Sequence, residues 1–299
     1  MNERREPPLS TGRTPTPSGR PDGPARSAHV RPAATLTLAT VALLVAACAP
    51  SEPPPPETPL EALFTDGVRI VDLTWAHGAD TPWWPGPDTS PFRHDTLRAH
   101  PDGAPAMAAF STPEHFGTHL DAPVHSAQGQ IPVDRIEPAE LFGAAVVVDV
   151  STAVASDPDY AVTVDDLLGW EVRHGRIPDG AVVLARTGWA ERWPDRAAYY
   201  PQDADGTLHF PGFSAEAARW LVGERRIAGI GIDSGSVDPG AAEGFPVHGL
   251  VNGSGAFHLE NVADMSALPE RGAYLVVAPV KIAGGSGGPV RIFAVVPTE

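Results

Sequence analysis

The stretch His115-Phe116-Gly117-Thr118-His119-Leu120-Asp121-Ala122-Pro123-Val124-His125 decides how the rest of the chain is read. Its three histidines and its aspartate occupy odd positions, as do Gly117 and Pro123. In an extended chain, side chains alternate between faces with a period of two. The four polar residues then share one face, while Phe116, Leu120, Ala122 and Val124 share the other with Thr118. A helix over the same residues would hold Gly117 and Pro123 inside it, where both weaken it. Neutral imidazoles and a carboxylate converging on one side suit a borderline divalent cation such as zinc. Gly117 lets another group approach the backbone closely.

Outward from this stretch, the two ends of the chain differ. Residues 1–31 are rich in Pro, Ser and Gly and carry Arg4, Arg5, Arg13, Arg20, Arg26 and Arg31 without apolar periodicity, a disordered composition. Residues 33–47 are uncharged and mostly apolar, shorter than the roughly 20 residues a membrane-spanning helix needs. A basic region, a short apolar core and small residues at its end read as a secretory signal. The run closes on Leu44-Val45-Ala46-Ala47-Cys48, which resembles a bacterial lipobox with Cys48, the single cysteine, as the lipidated residue. The competing reading is a plain signal peptide with an incidental thiol, and the long tail leaves room for a start further downstream. Residues 49–60 are Pro-rich and read as a semi-rigid spacer. The expected organisation is a signal over 1–48, a spacer over 49–60 and one folded domain over 61–299. A domain of that size folds without disulfides. The chain carries 21 Lys and Arg against 37 Asp and Glu, a net charge of −16. That balance, without a basic patch in the mature part, argues against nucleic-acid binding. Contact with a membrane is expected only through the lipid anchor.

Within the domain, residues 68–73, 144–150, 181–186, 227–232, 274–279 and 290–296 read as strands. Thr163 opens a helix as N-cap, with Asp165 and Asp166 in its first turn and Gly175 to end it. Ser214 caps a second helix whose Ala217, Trp220 and Leu221 make an apolar stripe. His94 and His100 read as exposed loop residues. Residues 187–213 lack periodicity and read as a long functional loop over a pocket or against a second subunit. Asp233 and Asp238, at a strand's end, are expected to shape a ligand site without being ligands. Gly284-Gly285-Ser286-Gly287-Gly288-Pro289 lacks the Lys-Ser/Thr of a phosphate loop and reads as a mobile connection. His258 reads as a strand residue facing elsewhere. One of the tryptophans in Trp83-Trp84-Pro85-Gly86 could stack on a flat ligand, and Trp83 has no assigned role.

His-x-Gly-Thr-His-x-Asp-x-Pro-x-His resembles the signature of the cyclase family, which includes the bacterial kynurenine formamidases. The resemblance extends to Trp84-Pro85-Gly86, to the Gly-x-Asp-x-x-Ser-x-Asp segment ending at Asp238, and to His248 followed twelve residues later by Glu260-Asn261. It covers residues 70–296 and implies an α/β fold, a single compact swivelling β/β/α-type domain, as a homodimer. It implies that His115, His119 and Asp121 bind a first divalent metal, that Asp121 bridges to a second held by His248, and that Glu260 touches both. His125 would be the general acid/base, with a third-ligand role as the competing assignment, and Trp84 would line the substrate pocket. The ligands suit zinc first and accept manganese, with two ions expected. The implied activity is metal-dependent hydrolysis of an aromatic amide, foremost an aryl formamide such as N-formylkynurenine. Hydrolysis of an isatin-like lactam or a lactone is the alternative. A lipid-anchored binding protein without turnover is the alternative from another class.

Overall fold

The computed structural model describes residues 67–100 and 103–298. The signal with Cys48 and the spacer lie outside the described residues. In chain order the strands are β1 (Val68–Asp72), β2 (Arg93–Arg98), β3 (Met107–Ser111), β4 (His119–Asp121), β5 (Phe142–Asp149) and β6 (Ala161–Val162). There follow β7 (Val182–Arg186), β8 (Gly212–Phe213), β9 (Gly229–Ile232), β10 (Phe257–Glu260), β11 (Tyr274–Pro279) and β12 (Gly287–Pro297). Eight of them form one sheet in the order β1-β12-β11-β5-β7-β9-β10-β4. The long strand β12 also pairs with β4, so the sheet curls into a barrel-like ring. The architecture is mixed α/β, as the sequence implied.

Strands β5, β7, β9 and β10 run parallel. Parallel strands are covered on both faces and read as unbroken apolar runs, which is why Ala144-Ala145-Val146-Val147-Val148 shows no alternation. Val146 and Val148 pack outward with Leu167, Ala217 and Val251 of the covering helices. Ala145 and Val147 point the other way, into a core shared with Leu120, Leu184, Leu259, Leu275 and Ile292. The helix Val164–His174 starts as expected: Asp166 N–H donates to Thr163 Oγ1, and Thr163 N–H donates back to the Asp166 carboxylate. Such a cap is worth about 1 kcal/mol.

Three expectations change and one helix was unforeseen. Residues 187–213 reach the pocket through Tyr200, as expected, but they are not one long loop: Trp189, Tyr199, Phe210 and Phe213 are buried, and the helix Arg196–Tyr199 forms within them. Their aromatics serve the core at irregular spacing, which hides them from periodicity. His94 lies in β2, exposed on a hairpin with β3. A helix missed in the sequence, Pro246–Gly253, carries His248. The glycine-rich segment enters β12 at Gly287 and pairs with β4, Gly287 opposite Asp121 and Pro289 opposite His119. It is therefore a wall of the site and not a mobile connection.

Candidate metal centre and active site

Only His119–Asp121 of the motif is a strand, so period-two alternation does not run through the whole stretch. Gly117 turns the chain at φ +57°, and a Cβ there would stand 2.5 Å from His77 Nε2. That conformation and that contact both call for glycine. A second turn, closed by His125 N–H donating to Ala122 O at 2.8 Å, brings His125 back. The His115 and His125 rings meet at 3.9 Å between centroids. Two turns about a short strand therefore achieve the convergence that a long extended segment was expected to give.

Within the strand pair, alternation holds and builds the centre. Strand β10 runs antiparallel to β4 with Glu260 opposite His119 and His258 opposite Asp121. Leu120 and Leu259 fill the inner core, so these four polar side chains share the opposite face, beneath the helix Pro246–Gly253. Asp121 Oδ1 lies 2.5 Å from His115 Nδ1 and 3.2 Å from His119 Nε2. Its Oδ2 lies 3.3 Å from His248 Nε2 and 3.4 Å from His258 Nδ1. Glu260 splits likewise, with Oε2 3.5 Å from His119 Nε2 and Oε1 3.3 Å from His248 Nε2. Each carboxylate thus presents one oxygen to each of two neighbouring groups of donors. The sequence placed His115, His119, Asp121, His125, His248 and Glu260 at one site, and the structure brings all six together. His258 does not face elsewhere: it is fully buried against Asp121, because residues 258 and 260 share a strand face.

The outward nitrogens of three rings are already committed. His115 Nε2–H donates to Ser286 Oγ at 2.9 Å, and Ser286 Oγ–H donates to Glu114 at 2.6 Å. His119 Nδ1–H donates to Gly117 O at 2.8 Å, and His248 Nδ1–H donates to Asp238 Oδ2 at 2.6 Å. In the neutral ring each bond keeps the proton on the outward nitrogen, so that the inward nitrogen can offer a lone pair, the arrangement of metal-ligating histidines. Asp238 also accepts the N–H groups of Val247 and His248, so it caps their helix. Ser286 and Glu114 escaped sequence reasoning; the glycines flanking Ser286 were the available signal. A Cβ at Gly287 would stand 2.5 Å from Leu120 O and 2.6 Å from His115 Cε1.

Charge completes the case for a cation. Asp121 and Glu260 are buried, and among the described residues neither pairs with Lys or Arg within 4.0 Å. Burial opposes ionisation of Asp121, but His115 and His119 outweigh it and hold its carboxyl well below the usual range. Burial and Asp121 push Glu260 up, and His248 and His119 bring it below its ordinary value. Burial opposes a charge on His119, yet Asp121 and Glu260 raise it to about 9. Burial likewise opposes a charge on His248, and hydrogen bonds to Asp121, Asp238 and Glu260 raise it well above its ordinary value. The carboxylates draw protons onto these rings with the field that would hold a divalent ion. For metal bonds of about 2.1 Å, tetrahedral donor edges measure about 3.4 Å; the 3.2–3.5 Å gaps about His119, His248 and Glu260 match, while the 2.5 Å between His115 Nδ1 and Asp121 Oδ1 is a direct hydrogen bond that an ion would have to open. The residues fit a bound divalent cation.

His125 differs from the others. Burial, together with the neighbouring His115 and His248, lowers it to about 4 despite Asp121, so its ring stays neutral at pH 7. It borders a pocket of ≈ 310 Å³, and it also offers a ligand atom within 4.8 Å of those of His115 and Asp121, as the third-ligand assignment requires. Trp84, Tyr200 and Phe245 form the aromatic wall: Trp84 meets Tyr200 edge-on at 5.9 Å and Phe245 at 6.3 Å. Trp83 also borders the pocket, with the Arg196 guanidinium stacked 4.1 Å over its ring. Tyr200 donates to Asn261 Oδ1, and Asn261 Nδ2 donates to Gly117 O, so the wall is tied to the turn that orients His119.

Known proteins resemble this chain. The Cyclase family model matches residues 71–239. The isatin hydrolase of Roseibium aggregatum is 34% identical over 250 residues, covering 79% of this chain and 94% of its own. The kynurenine formamidase of Salinibacter ruber is 27% identical over 230 residues, covering 75% and 96%. Among solved structures, isatin hydrolase A from Ralstonia solanacearum superposes with a TM-score of 0.75 at 38% identity, covering 79% of this chain and 95% of its own.

Proposed function

Because the chain belongs to the cyclase family of metal-dependent hydrolases, we propose that it opens a cyclic aromatic amide of the isatin class. The observation that carries this reading is the aromatic wall of Trp84, Tyr200 and Phe245 facing the cation centre across one small pocket. Its volume lies at the low end of the roughly 300–1,000 Å³ of ligand pockets, which suits a compact bicyclic ring. The isatin hydrolases are also the more similar relatives, at 34% identity against 27% for the formamidase. The latter keeps an open-chain aryl formamide as the second substrate class.

In this reading His115, His119 and Asp121 hold one ion, and Asp121, His248 and Glu260 hold another. Zinc is the foremost choice and manganese the next. Bound cations supply Lewis acidity and activate water near neutral pH. The protein does the rest. Trp84 and Phe245 hold the ring so that its amide carbonyl faces the centre. His125, kept neutral, takes a proton from the attacking water and passes it to the departing nitrogen. The water oxygen bonds to the amide carbon, the carbon–nitrogen bond breaks, and the nitrogen leaves as an arylamine with that proton. The second water proton is released with the carboxylate.

Two further elements rest on sequence and surface. Cys48 after the apolar run supports an exported lipoprotein, and Cys48→Ala should move the enzyme from the membrane to the soluble fraction. Exposed Leu97, Met107 and Phe110 on the β2–β3 hairpin support a homodimer, to be checked by light scattering.

The deciding experiment compares isatin and N-formylkynurenine as substrates of the purified protein before chelation, after it, and after adding Zn or Mn. Isatin turnover that is lost on chelation and restored by one metal is the expected result. Inertness toward isatin with metal bound, alongside turnover of the formamide, would overturn the substrate assignment.

A further inference from the structure

His258 is a histidine without an ordinary occupation. It is 0% exposed, yet its Nε2 has no hydrogen-bond partner. Its Nδ1 lies 3.4 Å from Asp121 Oδ2, longer than the 2.7–3.2 Å of ordinary N–H···O bonds. Its ring sits edge-on to His248, 4.6 Å between centroids. Leaving a polar atom unsatisfied in the interior costs about 1–3 kcal/mol, and an aliphatic side chain would fill the same place at no such cost. The nitrogen aimed at the neighbouring polar groups is the other one, Nδ1, which faces Asp121 Oδ2 and the His248 ring.

Both belong to the donors assigned to the second ion. Asp121 Oδ2, His248 Nε2 and Glu260 Oε1 are separated by successive gaps of 3.3 Å. His258 Nδ1 adds a gap of 3.4 Å on the far side of Asp121 Oδ2. Asp121, His248 and His258 each offer a ligand atom within 4.8 Å of the others. The strand register makes the placement inevitable: His258 stands directly opposite Asp121, on the face that Glu260 also uses. Resting on the two-ion reading above, we propose that His258 is a fourth ligand of the second cation, joining Asp121, His248 and Glu260.

The two sites then differ in kind. Four protein ligands close a tetrahedral site, as in structural zinc centres, whereas a catalytic site keeps a position open. The second ion would brace the bridging carboxylate beneath the helix Pro246–Gly253, and the first would keep its open position beside partly exposed His115; Asp121, His248 and Glu260 border the pocket as His115 and His119 do.

The test is titration of the metal-stripped full chain with Zn²⁺ alone, read by calorimetry, by competition with a chromogenic chelator and by metal analysis. Co²⁺ titration adds the visible absorption of a tetrahedral site. Wild type should take up two ions of unequal affinity. His258→Phe, which keeps an apolar ring in place, should weaken the tighter site about 100-fold or more, leave the weaker one within a few fold, and remove the tetrahedral Co²⁺ band. His258→Leu, smaller and equally unable to ligate, covers the case in which the bulkier variant fails to fold. Both ions bound to either folded variant with wild-type affinity would overturn the ligand role. Fewer than two ions on wild type would overturn it too, and none at all would also remove the metal-dependent reading it rests on.

Discussion

Asp238→Asn tests whether the centre depends on the groups behind it. The Asp238 carboxylate takes Val247 N–H on one oxygen at 2.8 Å, and His248 N–H at 3.1 Å and Nδ1–H at 2.6 Å on the other. Asparagine has nearly the same shape but one acceptor oxygen. If that oxygen serves His248, the buried Val247 N–H faces an amide donor and loses its partner, at about 1–3 kcal/mol. The bond to the imidazole also loses its charge assistance, roughly halving its strength. For a domain of this size that stability loss lowers Tm by about 2–12 °C. Loosening a histidine ligand's supporting carboxylate typically costs about 10–100-fold in metal affinity. The assays are thermal unfolding of the metal-stripped protein and Zn²⁺ competition against a chelator. A lowered Tm with Zn²⁺ affinity and turnover within twofold of wild type would refute the reasoning, leaving Asp238 a helix cap and nothing more.

His125→Ala should lower kcat by about two orders of magnitude or more while both ions stay bound; loss of an ion on metal analysis would make His125 a ligand instead. Cation uptake at pH 7 should release protons, because His119 is raised to about 9 and His248 is raised as well, while ligation needs neutral rings. Calorimetry in buffers of different ionisation enthalpy measures that release, and it should fall away as pH climbs past about 9. Away from the centre, the hydrogen bond from Arg225 outweighs burial and depresses Glu171 below its ordinary 4.5. A depressed carboxyl stabilises the fold above its unfolded value and loses that contribution as pH falls through the folded one. Glu171→Gln should therefore cost about 1–2 kcal/mol at pH 7 and progressively less as unfolding is followed below pH 4.5.

What the sequence disclosed follows from how local each signal was. The strands with β-branched runs and the helix opened by Thr163 carry their signals within a few residues, and they appear as read. The donors at 115–125 are dense enough to be seen together, although two turns and not one extended face assemble them. The rest is relational. Ser286 and Glu114 matter only because β12 lies beside β4. Tyr200 matters only because its segment folds against Trp84. His258 was accessible to the reasoning applied at 119 and 121: residues 258 and 260 differ by two, so placing Glu260 at the centre already placed His258 on the same face.

The centre is thereby tied to strand register more than to any single loop. His119 and Asp121 oppose Glu260 and His258 on one face, while Leu120 and Leu259 oppose each other on the face buried in the ring. A slip of one residue would send the leucines outward and the donors into the apolar core, so the core that stabilises the sheet also enforces the ligand set. On the other edge of β4, Gly287 and Pro289 of β12 stand opposite Asp121 and His119 and bring Ser286 to His115. The barrel closure between β12 and β4 is therefore part of the site: it supplies the acceptor that fixes the first ring, just as the helix over β10 supplies His248. The two groups of donors are held from two different sides of one three-residue strand. Asp121, at the end of that strand, is a side chain that both must share, and Glu260 opposite His119 is the other.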